Sequence, residues 1–289
     1  GFHDIAAIFL LIFGEETAAT LLERVALFFT RGKWLRYMDC ILQELTMIPT
    51  LLQQEDQDLY TCITETGVLP YYCLSQVLTW FSHDLHDLRK IKRFFDFFLC
   101  SNPLMPIYAS AAVVLIRRDE LLTMRDEMDV MHSFLSKVPQ DLDVEAVIQK
   151  SRELEERCPV LELQTESAVA LHRVSAANTY DTLWVALETE SSQDSKAKGE
   201  DEKDDKAEMT ENLKACTAEA VRIVAMDPKE RLPMALPPPR NKEAAQKSGT
   251  VFEQLKQAVG TEKRVLTLVA VSVGMVSLAM WLASNDLLM

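Results

Sequence analysis

The block from Leu78 to Leu122 limits what this chain can fold into more than any other stretch. Leu88, Ile91, Phe94, Phe95, Phe98 and Leu99 recur with the i, i+3, i+4, i+7 rhythm of a buried helix face, and Arg89, Lys90, Lys92 and Arg93 fall largely on the other side. Ahead of this segment, Leu78-Thr79-Trp80-Phe81 closes another apolar run. Behind it, Asn102-Pro103 reads as an N-cap with proline at the first helical position, where its missing N–H costs nothing, so a third helix is expected from there to Arg117. Three adjacent helices sharing one aromatic seam make a bundle core. No segment alternates with period two for long enough to form a strand, and the expected class is all-α.

The flanking segments follow the same logic. Asp4–Phe13 reads as a first helix ending near Gly14, Glu15–Thr30 as a second closed by Arg31-Gly32, and Trp34–Leu52 as a third kinked at Pro49. Asp58–Thr66 is a short helix stopped by Gly67, and Pro70–Ser82 leads into the central block. Asp129–Lys137 ends before Pro139; Asp143 then caps Val144–Arg157, which Cys158-Pro159 terminates. From Leu161 to Leu187 the pattern weakens, with Ala168, Leu171, Val174, Leu183 and Trp184 as contacts back onto the bundle.

At Glu188 the composition changes. Ten acids face four lysines up to Glu211, with almost nothing apolar, which cannot offset chain entropy and is expected to stay without structure. Leu213–Met226 reads as a short helix through Leu213, Ala220, Val221 and Val224, and Leu232–Pro239, with four prolines, as an extended spacer. Val265 to Ala283 carries no charge, and nineteen residues at about 1.5 Å rise span close to the ~30 Å hydrocarbon core. Lys263-Arg264 precede this segment, so it reads as a tail anchor with its basic flank in the cytosol rather than as the buried helix of a soluble core. The expected organisation is a helical domain over 1–158, a helical extension over 159–187, an acidic linker with a proline-rich spacer over 188–264, and a transmembrane segment over 265–283.

A net charge of −14 with no basic, aromatic-interleaved cluster argues against nucleic acid and leaves protein or membrane partners. The six cysteines are scattered without C-x-x-C spacing and read as reduced thiols of a cytosolic compartment. Ile5–Phe13 lacks a basic leader and is followed by Glu15-Glu16, as in a core helix rather than a signal peptide.

Trp80-Phe81 at a helix end and Arg93-Phe94-Phe95-Asp96 in the next helix resemble the second half of a TBC domain, the helical Rab GTPase-activating module. Gly1-Phe2-His3-Asp4 with its apolar run, Pro103–Tyr108, and Val138-Pro139-Gln140-Asp141-Leu142 are similar to its endoplasmic-reticulum-anchored branch. The resemblance covers Gly1 to Ile148 and resumes at the C-terminal apolar segment. It implies a GTPase activator for GTP-bound Rab proteins in vesicle transport from the endoplasmic reticulum to the Golgi, with the helical domain facing the cytosol, membrane lipid around the anchor, and no cofactor.

Such activation supplies an arginine, which neutralises charge on the transferring phosphoryl, and a glutamine, which orients the attacking water. In the family these lie in I-x-x-D-x-x-R and Y-x-Q motifs, the second followed directly by glycine. Gly1-Phe2-His3-Asp4 looks like the continuation of that second motif, and the arginine motif has no counterpart here: Arg24 follows Leu21-Leu22-Glu23 inside an amphipathic helix. The chain is therefore expected to be an N-terminally truncated form, with both finger residues upstream of Gly1, no catalytic residue among its 289 and no active site of its own, hence not an enzyme. Gly1, Phe2, His3 and Asp4 would shape the finger loop. Arg93 and Asp96, three apart on one helix, would pair and buttress the Rab-facing surface.

His83-Asp84-Leu85-His86-Asp87 offers two imidazoles beside two carboxylates but no third ligand at fitting spacing, so no metal site is expected. A half domain would also expose the apolar faces of Ile5–Phe13 and Leu21–Phe29. The rival reading is a non-catalytic, tail-anchored helical adaptor that binds partners through its bundle or its acidic linker.

Overall fold

The computed structural model describes residues 1–31, 39–124, 128–185, 202–240, 251 and 254. Among these residues every regular element is helical, as expected, and a lone backbone bridge joins His172 to Pro233. The expected anchor, Val265 to Ala283, and the linker up to residue 201 lie outside the described residues.

Construction starts at the N-terminus. Helix α1, Phe2–Arg24, is bent at Gly14, whose backbone (φ 74, ψ 172) leaves the helical region, and it runs on into a π-helical turn, Val25–Phe29. The two expected helices are thus present and abut at the Gly14 kink, where a side chain would be strained by that positive φ. Ile5, Phe9, Ala18 and Val25 face the core, whereas Leu10 to Phe13 are exposed, Leu11 at 71%. Leu27, Phe28 and Phe29, expected to lie bare, are covered. Trp184 packs on Phe28 and Phe29 at 5.2 and 5.1 Å between ring centroids, and Tyr180 on Phe29 at 6.0 Å.

Of the expected third helix, residues 34–38 lie outside the described residues and the rest is divided. Asp39–Leu45 (α2) and Ile48–Glu55 (α3) are separated by a turn at Thr46-Met47, because Pro49 sits in the first turn of α3, where its missing N–H is harmless. Asp56 caps Gln57–Glu65 (α4), which stops before Gly67 at φ 76. A 3₁₀ turn, Pro70–Cys73, leads into Leu74–Thr79 (α5).

The core is organised where α5 ends. Trp80 and Phe81 both adopt left-handed backbone, φ 53 and 64, at a cost of roughly 1–2 kcal/mol each. That corner drops both rings inside, and burying a large apolar side chain returns about 1.5–3 kcal/mol apiece. They meet helix α6, Leu88–Leu99, which Asp87 caps by accepting the Arg89 N–H. Phe81 stacks on Phe94 at 4.6 Å, Phe94 on Phe98 at 5.5 Å, and Trp80 stands edge-on to Phe95 and Phe98. Phe97, off the expected stripe, is buried as well, so α6 is covered on more than one side.

Helix α7, Met105–Ile116, is buried at every position from Met105 to Val114, the signature of a central helix. It begins later than the sequence implied. Asn102 Oδ1 accepts from the Leu104 N–H at 3.0 Å and its carbonyl from the Met105 N–H at 2.8 Å, so Asn102-Pro103 forms a turn and Pro106 takes the first helical turn. After Arg118–Leu122 (α8) and Met128–Leu135 (α9), Asp143 caps Val144–Arg157 (α10) as expected, accepting from the N–H groups of Glu145 and Ala146. The buried Tyr108 hydroxyl donates to the Cys158 carbonyl at 2.7 Å and ties α7 to the end of α10.

The C-terminal part departs most from expectation. Val160–Glu166 (α11), Ala176–Tyr180 (α12) and the π-helical turn Asp181–Val185 follow, with Ala168 exposed at φ 53 rather than packed. The expected helix through Leu213 is present but longer: Glu202–Glu211, expected to lack structure, is helical with it in α13, Glu202–Ala225. Ala220 and Ile223 anchor it, while Val221 and Val224 face outward. Leu232–Pro239 is no free spacer. The Arg173 N–H donates to the Leu232 carbonyl at 3.0 Å, and the Met234 N–H donates to the Leu171 carbonyl at 2.8 Å. Arg240 then pairs with Glu162 at 3.0 Å. Met234 and Arg240 retain the N–H groups that the neighbouring prolines lack.

Phe94→Ala is expected to cost about 3–5 kcal/mol in urea denaturation. Leu11→Ser should change stability by no more than about 0.5 kcal/mol. Equal effects of the two would contradict the placement of the core.

Candidate functional site

Gly1–Asp4 opens α1, with Phe2 packed partly against the core and the Asp4 N–H donating to the Gly1 carbonyl at 3.0 Å. The Asp4 carboxylate lies between two imidazoles, Oδ1 at 3.6 Å from His83 Nδ1 and Oδ2 at 3.4 Å from His3 Nε2. His83 belongs to the corner that starts at Trp80. The end of α1 is therefore seated on the turn that organises the core.

That turn is fixed from below. Asp84 accepts from the Ser75 hydroxyl at 3.1 Å. Burial pushes its carboxyl up to about 6; the Ser75 hydrogen bond and His83 oppose the rise, and Asp4 adds to it. Gln140 bridges the turn: its Nε2 donates to the Asp84 carbonyl at 2.8 Å and its Oε1 accepts from the His86 N–H at 3.0 Å. Lys90 Nζ donates to the carbonyls of Gln140 (2.6 Å) and Leu142 (2.9 Å). Sequence reasoning took Val138–Leu142 only as a resemblance; no spacing rule could show that a residue 56 positions away clamps the Asp84 carbonyl.

Arg93 and Asp96 are placed differently from expectation. Arg93 pairs in bidentate fashion with Glu145 of α10, at 2.6 and 3.0 Å, and Asp96 stands exposed. The hydrogen bonds Arg93 donates to Glu145 raise its pKa, with Asp96 a minor contributor. The intrahelical pair gives way to a link between helices because α10 offers a carboxylate in fork geometry. Arg93 and the Gly1–Asp4 group share the α1–α6 contact, Phe9 on Phe95 at 5.8 Å, but no bond joins them among the described residues. No three His, Cys, Asp or Glu side chains among those residues converge where a metal could sit.

This arrangement holds backbone in place rather than presenting a nucleophile. Residues 1–122 match the Rab-GTPase-TBC domain, in agreement with the resemblance read from Trp80-Phe81 and Arg93–Asp96. The chain is similar to TBC1 domain family member 20 of Homo sapiens and of Mus musculus, 36% identical to each over 168 residues, 58% of this chain and 42% of theirs. It is also similar to GTPase-activating protein gyp10 of Schizosaccharomyces pombe, 34% identical over 154 residues, 52% of this chain and 41% of that protein. The chain thus spans about two-fifths of the length of these relatives.

One expectation is corrected by these relationships. The expectation of no enzymatic role is contradicted by the match to the Rab-GTPase-TBC domain and by a relative named GTPase-activating protein gyp10, because accelerating GTP hydrolysis is catalysis.

Because the folded-state pKa of Asp84 lies above its ordinary 3.8, the folded protein holds this proton more tightly than the unfolded chain. The stabilisation it contributes is complete below about 3.8 and is lost as pH rises through about 6. Asp84→Asn should therefore flatten the wild-type fall in stability between those limits and be the more stable form at pH 7. Parallel stability profiles of the two proteins from pH 4 to 7 would contradict the assignment.

Proposed function

We propose that this protein belongs to an activator that accelerates GTP hydrolysis by a Rab-family GTPase of the early secretory pathway, between endoplasmic reticulum and Golgi. The observation that carries the reading is the seat of Gly1–Asp4 on the His83-Asp84 corner, within the segment that matches the Rab-GTPase-TBC domain. Gly1, Phe2, His3 and Asp4 form the base of the loop that carries the water-orienting glutamine, and Arg93 and Asp96 border the surface that receives GTP-bound Rab. The arginine and glutamine fingers lie upstream of Gly1. The segment Val265 to Ala283 holds the protein in the endoplasmic reticulum membrane with the bundle in the cytosol. This tether confines it to the surface where lipidated Rab resides and raises the local concentration.

A single-turnover GTPase assay tests the proposal on the 289-residue chain and on a form extended upstream. The extended form should accelerate hydrolysis by about 10³ to 10⁵, the range of a supplied arginine, and the 289-residue chain by less than tenfold. Equal acceleration by both would refute the upstream placement of the fingers, and none by either would favour the adaptor.

A further inference from the structure

Between the N-terminal helices and the C-terminal extension lies a cleft of about 30 Å³, lined by Arg31, Cys40, Glu44, His172, Ser175 and Arg231 among others. Arg31 and Arg231 are only 6% and 8% exposed. Two guanidinium groups in so dry a place call for negative charge, since an unpaired buried charge is costly. Their hydrogen bonds do not supply it. Arg31 donates to the carbonyls of Val174 (3.2 Å) and Leu27 (2.8 Å) and to the Thr179 hydroxyl. Arg231 Nη2 donates to the carbonyls of Val224 (2.8 Å) and Met226 (3.2 Å). All five acceptors are neutral.

Carboxylates nearby do not close the account. Glu44, 6% exposed, lines the cleft and sets one carboxylate against the two guanidinium groups, which stay in excess; it has contacts of its own, while its Oε2 accepts no hydrogen bond. Glu219 reaches Arg31 only through space, while it pairs with the exposed Arg222 at 2.7 Å. Burial first, and then the Arg231 charge, lower the Arg31 pKa to about 10, the direction expected of a site short of anions. Besides that Glu44 oxygen, two polar atoms that could donate to an anion are left over: Arg231 Nε and His172 Nδ1 are buried with no hydrogen-bond partner. Both residues line the same cleft.

We propose that this cleft binds a small oxyanion of the phosphate class, held by the Arg231 Nε–H, the His172 imidazole and the Arg31 guanidinium. Arginine suits such a ligand because its planar fork matches paired oxygens. The volume admits one small anion or roughly two waters, at 10–15 Å³ for each water. The ligands come from distant parts of the chain. Arg31 follows the α1 rod, His172 lies between α11 and α12, and Arg231 ends the segment after α13. A bound anion therefore cements the extension onto the TBC-type bundle at the place where Trp184 and Tyr180 cover Phe28 and Phe29.

The full 289-residue chain, melted in sodium phosphate and in sodium chloride of equal ionic strength, provides the test. Phosphate alone should raise the midpoint in a saturable way. The saturation concentration should move at least tenfold in His172→Gln and in Arg231→Gln and stay unchanged in Arg222→Gln; His172→Gln decides the matter if Arg231→Gln does not fold. Sedimentation with vesicles of phosphatidylcholine, with and without phosphatidylinositol phosphate, separates the two sources of the group. Extra binding to the phosphoinositide vesicles that His172→Gln removes assigns the site to a lipid headgroup, and a response to soluble phosphate alone assigns it to a free ion. Identical melting in the two salts with no extra vesicle binding overturns the proposal, as does a response that His172→Gln and folded Arg231→Gln leave intact.

Discussion

Two consecutive residues with left-handed backbone, Trp80 and Phe81, are the constraint on which the rest of the structure depends. Neither is a glycine, so the conformation survives only because what it gains exceeds its steric cost. The gain is the aromatic seam: both rings enter the core and meet Phe94, Phe95 and Phe98 of α6. The same corner sets His83, with the half-buried Asp84 beside it, against the end of α1. Core packing and candidate site are thus two faces of one turn, and Gln140 and Lys90 lock that turn to the chain ahead of α10.

The C-terminal extension closes the bundle from the opposite side. Tyr180 and Trp184 cap the apolar Val25–Phe29 turn, and Arg31 anchors the extension through the Val174 carbonyl and the Thr179 hydroxyl. Ala220 and Ile223 bury one face of α13, and the chain after it returns as an extended strap along residues 166–173. The strap is built from the few N–H groups that a proline-rich sequence retains. The outer face of α1, Leu10 to Phe13, keeps a row of apolar side chains in water.

What the sequence made legible was local. The stripe from Leu88 to Leu99, the cap at Asp143, the stop at Gly67 and the break at Gly14 all follow from spacing and from residues with one conformational preference. What it hid was non-local. Arg93 finds Glu145, 52 positions away, instead of its helical neighbour Asp96, and the Gln140 clamp is equally remote. Phe97 lies off the stripe that faces one side because α6 has covered neighbours on another. Of the acidic stretch, Glu202–Glu211 is helical because it continues the expected helix through Leu213, which Ala220 and Ile223 seat. Of the site, Gly1–Asp4 was visible through family resemblance, but its partners His83, Asp84 and Ser75 depend on a backbone corner that no propensity rule foresees.

The central claim is that the corner after Trp80 and the end of α1 together form the edge that meets the GTPase. Amide hydrogen exchange of the full chain, with and without a GTP-loaded Rab protein, tests it most directly. Protection concentrated at Gly1–Asp4 and His83–Asp87 is the result this account predicts. Protection confined to α13 and the strap, with those two segments unchanged, would contradict it.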